Sequence, residues 1–243
     1  MIIAKLIGGL GNQLFQYAVA RHLAEIYNTT LKIDLTEFEF YKLHKYSLQH
    51  FKIIEEIASD DDLKAVKEAK EKHFHFDAEF KSISNNVLLK GYWQTEKYFN
   101  EITDIIRAEF SVKSELKGRD LEVSKLIADC NAVSLHIRRS DYTLNSYKDQ
   151  IFDSLSLDYY QRAIADLAQV EKDLKFFIFS DDPEWVKDNV KLDFPVIYVD
   201  HNTADTNYED LRLMSLCRHN IIANSSFSWW GAWLNGNKDK RVY

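Results

Sequence analysis

The chain has 243 residues, 46% hydrophobic and 28% charged, a balance that suits a globular protein of one large or two small domains. It carries seven glycines and two prolines, where an average chain of this length would hold about 17 glycines, and that excludes a collagenous or linker-rich protein. The net charge is −7 with no basic block, so nucleic acid is not an expected partner and any anionic ligand must be gripped locally.

Residues 2–7 read as a buried strand, the glycines at 8, 9 and 11 as a turn, 14–23 as a helix and 31–35 as a second strand. A strand, turn, helix and strand in this order is a βαβ unit and predicts a parallel sheet. Ser59 followed by three aspartates reads as a helix cap leading into a lysine-rich helix to about Glu71. A strand at 87–90 and a helix over 94–110 follow. After a loosely patterned stretch from 111 to 120 the alternation resumes: helices at 121–129, 157–169, 183–190 and 207–217, strands at 131–138, 176–180, 195–199 and 220–223, and a short helix from Ser226. The boundary is placed near 112–120, giving domains 1–115 and 116–243.

Cys130 and Cys217 lie far apart and read as free thiols. The start MIIAKLIGG has neither a basic leader nor a small-residue cleavage site. No apolar run nears the roughly 20 residues of a membrane span, so a cytoplasmic protein without a transmembrane segment, at most peripheral at a membrane, is expected. The sequons at Asn28 and Asn224 are then accidental.

Three segments carry chemistry. In Gly8-Gly9-Leu10-Gly11-Asn12-Gln13 a glycine turn between strand and helix lets backbone N–H groups approach an anion. Asp34 at the end of the second strand adds a dinucleotide look, but Leu14 stands where the third glycine of that fingerprint belongs. Asn12 and Gln13 offer two amides at the helix start; an ordinary tight turn is the plainer reading.

The second segment, Val133 to Tyr142, is an alternating strand that ends in Arg138, Arg139 and Asp141, at the edge where open α/β sheets bind ligands. Arginine's fork of donors suits a phosphate and never loses its charge. On strand alternation Arg138 shares a face with His136, so Arg138 is assigned to the ligand and Arg139 to a structural ion pair with Asp141. A surface ion-pair cluster is the alternative. In the third, Asn224-Ser225-Ser226-Phe227-Ser228-Trp229-Trp230, hydroxyls meet a second helix start. The tryptophans at 229, 230 and 233 fit a buried helix face better than a sugar-stacking platform.

Other signals are weaker. Asp181 and Asp182 suit either a helix cap or a ligand contact, Asp60 to Asp62 suit a cap better than a metal, and His73 and His75 have no further ligands nearby, so no metal site is expected.

With these residues in place the chain resembles glycosyltransferase family 11, the α-1,2-fucosyltransferases. The resemblance is carried by GGLGNQLFQYA at 8–18, HIRRSDY at 136–142, FSDDPEWVKDN at 179–189 and NSSFSWWGAWL at 224–234. It implies a GT-B-like α/β fold of two Rossmann-type parallel-sheet domains facing across a cleft, the first on the acceptor side and the second on the GDP-fucose side. It further implies inverting transfer of fucose from GDP-β-L-fucose to the 2-hydroxyl of a terminal galactose on a glycan acceptor, without cofactor or metal. Carried over by position, Gly9, Gly11 and Asn12 face the sugar and diphosphate, and His136 and Arg138 lie near guanine and diphosphate. Ser225, Ser226 and Phe227 grip the β-phosphate, and Asp210 reads the guanine edge. Asp141 and Asp34 are the candidates for a general base. The family pattern resembles a longer chain, with a further strand and a helical segment after Trp233, so a trimmed C-terminal end is expected. An NAD(P)-dependent oxidoreductase with a degenerate loop and a non-catalytic sugar-binding protein are the alternatives; the first leaves the arginine and tryptophan segments unexplained.

Overall fold

The computed structural model describes residues 1–139 and 155–243, in two compact units, Met1–Ser114 and Glu115–Tyr243. Each is built on a four-stranded sheet whose pairings are all parallel.

In the first unit the strands are β1 (Ile2–Lys5), β2 (Leu31–Asp34), β3 (Lys67–Lys70) and β4 (Val87–Lys90), in the order β2-β1-β4-β3. Strand β1 is central and apolar, as a strand covered on both sides must be, with Ile2 and Ile3 fully buried. Helix α1 (Leu10–Ile26) is buried along most of its length. The short helices α2 (Glu37–Phe40), α3 (Asp60–Ala65) and α4 (Thr103–Glu109) complete the unit.

Two expectations need correction here. The lysine-rich helix from Asp60 stops at Ala65, and residues 67–70 instead form β3, hydrogen-bonded beside β4. Helix propensity lost to pairing with a central strand, and the lysines suit an exposed sheet edge. The helix expected over 94–110 is broken into two 3-10 turns at Glu96–Tyr98 and Asn100–Ile102, with α4 after them. Tyr98, Phe99 and Ile102 are buried in the core at a spacing that one face of an α-helix would also present, which is why the segment reads as a single helix. The aspartates after Ser59 do form a cap: Ser59 and Asp62 bond reciprocally at the start of α3.

The second unit contains α5 (Gly118–Ala128), β5 (Asn131–Ile137), α6 (Leu157–Val170), β6 (Leu174–Ser180), α7 (Pro183–Asn189), β7 (Val196–Val199), α8 (Asn207–Leu216), β8 (His219–Ile221) and α9 (Ser226–Leu234). The strand order is β7-β6-β5-β8. Alternation along β5 divides the core: Val133, Leu135 and Ile137 pack with α6 and α7, and Ala132 packs with α5 and α8. Beyond β8, Arg241 and Tyr243 exchange backbone hydrogen bonds with Asn220 and Ile222, so the last residues extend the sheet in parallel. Asn220 is buried and donates to Ser134 and to the Met214 carbonyl while accepting from Asn235, a satisfied polar network that anchors β8. Both cysteines are unpaired. Among the described residues no helix is long and apolar enough to cross a membrane.

Candidate functional site

An open parallel sheet binds ligands beyond the carboxyl ends of its strands, where the chain's winding reverses direction. In the first unit that place lies between β1 and β4, because β2 is laid on one side of β1 and β3 with β4 on the other. In the second it lies between β5 and β8. The motifs fall at these two points.

At the first, Gly8 has φ +83 and Gly9 is the N-cap of α1. The helix begins at Leu10, so Gly11 and Asn12 belong to its first turn, where the helix end carries partial positive charge. The two amides expected to face a ligand have different fates. Gln13 is fully buried: its Nε2 donates to the carbonyls of Gly8 at 2.8 Å and Lys45 at 2.9 Å, and its Oε1 accepts from Ser47 N at 2.9 Å. It ties the turn to the loop after β2, and both of its N–H donors are committed there. Asn12 is partly exposed and accepts from Gln94 Nε2 at 2.8 Å. Gln16 completes the set, donating to Gly91 O at 3.1 Å and accepting from Ile7 N at 3.0 Å. Three carboxamides on one helix therefore hold the loops after β1, β2 and β4 in register.

Asp34, at the end of β2, is buried and held by its own neighbours. It is 2% exposed, accepts from Thr36 N and Oγ1 at 2.9 and 2.7 Å, and lies 3.8 Å from Lys5 Nζ. Its Oδ1 is committed to the turn that follows β2 and its Oδ2 faces Lys5, a structural duty for a buried carboxylate.

At the second point, β5 ends in two arginines with different surroundings. Arg138 Nε lies 3.9 Å from Asp181, both side chains being about four-fifths buried. Arg139 stacks its guanidinium 3.5 Å over the Trp185 ring and reaches Asp182 at 3.4 Å. Asp182 also caps α7 by accepting from Trp185 N, and Asp181 accepts from Arg139 N at 2.8 Å. Asp181 and Asp182 of the 179–189 motif thus hold the arginine pair, and Asp182 caps the helix as well. Asp141 lies outside the described residues.

His136 is 4% exposed, packs against the Phe227 ring at 5.6 Å, and has no partner for Nδ1 among the described residues. Burial, and then the neighbouring Arg138 charge, hold its pKa down to about 3, so near neutrality it is an uncharged imidazole. Ser225 caps α9 by accepting from Phe227 N at 3.3 Å, while buried Ser228 bonds both ways with Ala223. Gly231 lets α9 approach α8, since a Cβ there would stand 3.0 Å from Met214 Cβ. Of the tryptophans, Trp230 is fully buried; Trp229 and Trp233 are partly exposed and stacked.

Asp210 belongs to a separate cluster on α8. Asn202 Nδ2 donates to Asp210 at 2.8 Å and to Asp120 at 2.9 Å, and His201 bonds Asp120 at 2.9 Å. Burial, reinforced by the Asp120 and Glu209 charges, raises the Asp210 pKa to about 7. No group of three or more His, Cys, Asp or Glu able to hold a metal ion occurs among the described residues.

Sequence reading missed Gln94, Gln16 and the structural duty of Gln13. A polar residue just past a central strand was the available signal for Gln94, but it needs β4 to be known as the neighbour of β1.

Two parallel α/β units, each with motif residues at its reversal point, define a GT-B-like glycosyltransferase architecture, and the structure is similar to that of NodZ α-1,6-fucosyltransferase co-crystallised with GDP. The TM-score is 0.59 at 15% identity, covering 95% of this chain and 90% of that one. The family profile described as glycosyl transferase family 11 matches residues 1–243, and the chain belongs to that family. It is 34% identical to an α-1,2-colitosyltransferase of Escherichia coli, over 96% of this chain and 87% of that protein. It is 32% identical to the O-antigen biosynthesis glycosyltransferase WbnK of Escherichia coli, over 98% and 91%. To galactoside α-(1,2)-fucosyltransferase 1 of Mus musculus it is 26% identical, over 61% of this chain and 41% of that protein. The protein is therefore a glycosyltransferase enzyme.

Proposed function

We propose that the enzyme transfers L-fucose from GDP-β-L-fucose to the 2-hydroxyl of a galactose-terminated glycan, with inversion at the sugar. The observation that carries this reading is the edge at β5 and β8: a permanently charged arginine, a neutral buried histidine with an unmatched nitrogen, and a serine-capped helix start, all within one unit. Negative charge grows on the GDP leaving group as the fucosyl C1–O bond breaks. Donors already aimed at that charge supply most of the catalysis. By the family resemblance, Arg138 and the segment of Ser225, Ser226 and Phe227 are assigned to the diphosphate, Gly9, Gly11 and Asn12 to the sugar–phosphate junction, and His136 to the nucleotide. The galactose hydroxyl gives up its proton to a carboxylate, for which Asp141 is a candidate. No step in this scheme requires a metal or cofactor. A cytoplasmic enzyme, at most peripheral at a membrane and acting on surface polysaccharide, fits the reading.

A second donor has a specific observation behind it, the similarity to an α-1,2-colitosyltransferase. Colitose is fucose without its 3-hydroxyl. A site that hydrogen-bonds that hydroxyl rejects the deoxy sugar by roughly 10⁴-fold, whereas an apolar wall there discriminates far less. Competition between GDP-fucose and GDP-colitose in one reaction decides between them. The wider test is thermal stabilisation by GDP, GDP-fucose, a UDP-sugar and NAD. GDP and GDP-fucose are expected to raise the melting temperature; no effect of GDP at millimolar concentration would overturn the assignment.

Asp210 adds a pH dependence. The guanine edge presents two N–H donors, which an ionised carboxylate accepts and a protonated one does not. With a pKa of about 7 in the free protein, binding GDP below that pH requires loss of a proton. Affinity is expected to fall about tenfold from pH 8 to pH 6, measured by calorimetry. Asp210→Asn is expected to bind more weakly and to show no such slope. The fold binds this proton more tightly than the unfolded chain, so Asp210 stabilises the protein most below the ordinary aspartate pKa. That contribution is lost as pH rises towards 7.

A further inference from the structure

Between the two loops at the reversal point of the first unit stands a hydrogen bond that the proposed reaction leaves unexplained: Gln94 Nε2 to Asn12 Oδ1, 2.8 Å, joining residues 82 apart in sequence. Gln94 is exposed, and a single exposed hydrogen bond adds little to stability. Yet the path that brings it there is tightly held. After β4 the backbone passes Gly91, where a Cβ would stand 2.4 Å from Glu71 Cβ. The Glu71 carboxylate accepts from Tyr92 N at 2.7 Å and Trp93 N at 3.1 Å, and Gln16 holds the Gly91 carbonyl. Trp93, the residue before Gln94, is kept at φ +55 with its ring buried edge-on against Tyr98. A bulky side chain rarely adopts that left-handed conformation, and such strain persists only where the surroundings enforce it.

A carboxamide has two ends of similar size and opposite polarity. Which end of Asn12 faces an anion therefore decides whether the residue attracts or repels it. With Oδ1 bonded by Gln94, Nδ2 is turned to the glycine turn, 2.8 Å from where a Cβ on Gly8 would stand.

We propose that Gln94 is a positioning residue, which by claiming the amide oxygen of Asn12 sets that amide with its donor end towards the sugar–diphosphate. This rests on the reading of Asn12 as a donor to the nucleotide sugar. Glu71 and Trp93 act one step further out, by fixing where Gln94 stands.

The test uses the whole chain, with Gln94→Glu and Gln94→Met each made alone and in an Asn12→Ala background. An ionised carboxylate at position 94 can only accept, so it draws Nδ2 to itself and turns the Asn12 oxygen towards the diphosphate. Gln94→Glu is expected to lower kcat about 10- to 100-fold, the scale of an ångström-sized misplacement, with the acceptor KM and the melting temperature unchanged. Gln94→Met removes the donor without reversing the amide and is expected to lose less. In the Asn12→Ala background neither change is expected to lower kcat further, since residues that act as a unit are not additive. Wild-type kcat in Gln94→Glu would overturn the proposal, and so would an equal loss with and without Asn12, which would mean a direct charge effect on the substrate. A wild-type chain that turns over neither donor and does not bind GDP removes the functional reading, and this inference with it.

Discussion

Arg138→Ala is expected to lower kcat about 10²- to 10³-fold, the scale measured when one preorganised donor to a developing oxyanion is removed, while the protein stays folded. The two halves of that statement have separate grounds. Arg138 stands at the carboxyl end of β5 beside a buried, uncharged His136, so its positive charge is not duplicated by the imidazole. Its ion pair with Asp181 is long, 3.9 Å, with both side chains about four-fifths buried, and is worth about 1 kcal/mol, the upper end for an exposed pair. Loss of the guanidinium should therefore move the melting temperature by no more than about 4 °C. Arg138→Lys keeps the charge without the planar fork and is expected to restore part of the rate.

Arg139→Ala makes the control. Its stacking on Trp185 and its contact with Asp182 give it a structural role, worth about 1–2 kcal/mol for a partly desolvated cation on an indole. The expected pattern is a lower melting temperature with kcat largely kept. Steady-state kinetics and thermal denaturation on the two variants side by side decide the matter, and near-normal kcat in Arg138→Ala would remove that residue from the mechanism.

Gly8→Ala is expected to damage both stability and turnover. At φ +83 a residue with a Cβ is strained by about 1–2 kcal/mol. The new methyl group would also stand 2.8 Å from Asn12 Nδ2, a distance at which the amide must move. Because that amide is the donor assigned to the sugar–diphosphate junction, kcat is expected to fall about 10- to 100-fold. Gly9→Ala separates the two causes. A Cβ there meets His44 at 3.6 Å, an ordinary contact, and Gly9 has an extended, negative φ of −70, so the substitution should be much milder. Equal effects at both positions, read by denaturation and kinetics, would mean that the left-handed backbone and the Asn12 contact are not what the turn depends on.

The glycine scarcity of this chain acquires a physical meaning from these positions. Gly8 carries a positive φ, Gly91 stands where a Cβ would collide with Glu71, and Gly231 admits a neighbouring helix. Each is used where a side chain would strain or block a close approach.

Much of the fold was legible from pattern alone. Strands such as β5 and β6 are long apolar runs, and an amphipathic helix such as α6 repeats its buried residues at helical spacing. These signals depend on local burial, which sequence periodicity records. The failures at 67–70 and 94–110 share another cause. A four-residue edge strand rich in lysine has no periodic signature, and a run of apolar residues that enters the core through successive 3-10 turns looks like a helix until its partners are known.

The candidate site divides along the same line. Residue types and their order, glycines before a helix start, arginines after a strand and serines before a second helix start, mark where an anion can be held, because backbone donors and permanent charges are properties of short segments. Which carboxamide faces outwards is another matter. Asn12 and Gln13 are adjacent and chemically alike, yet Gln13 is consumed by three bonds to loop backbones while Asn12 is held by Gln94. Asp34 likewise is taken up by Thr36 and Lys5, and Asp210 has its charge suppressed by burial and by Asp120 and Glu209. Such assignments depend on hydrogen bonds between residues tens of positions apart and on the desolvation of individual groups. Neither exists until the sheets have brought their loops together.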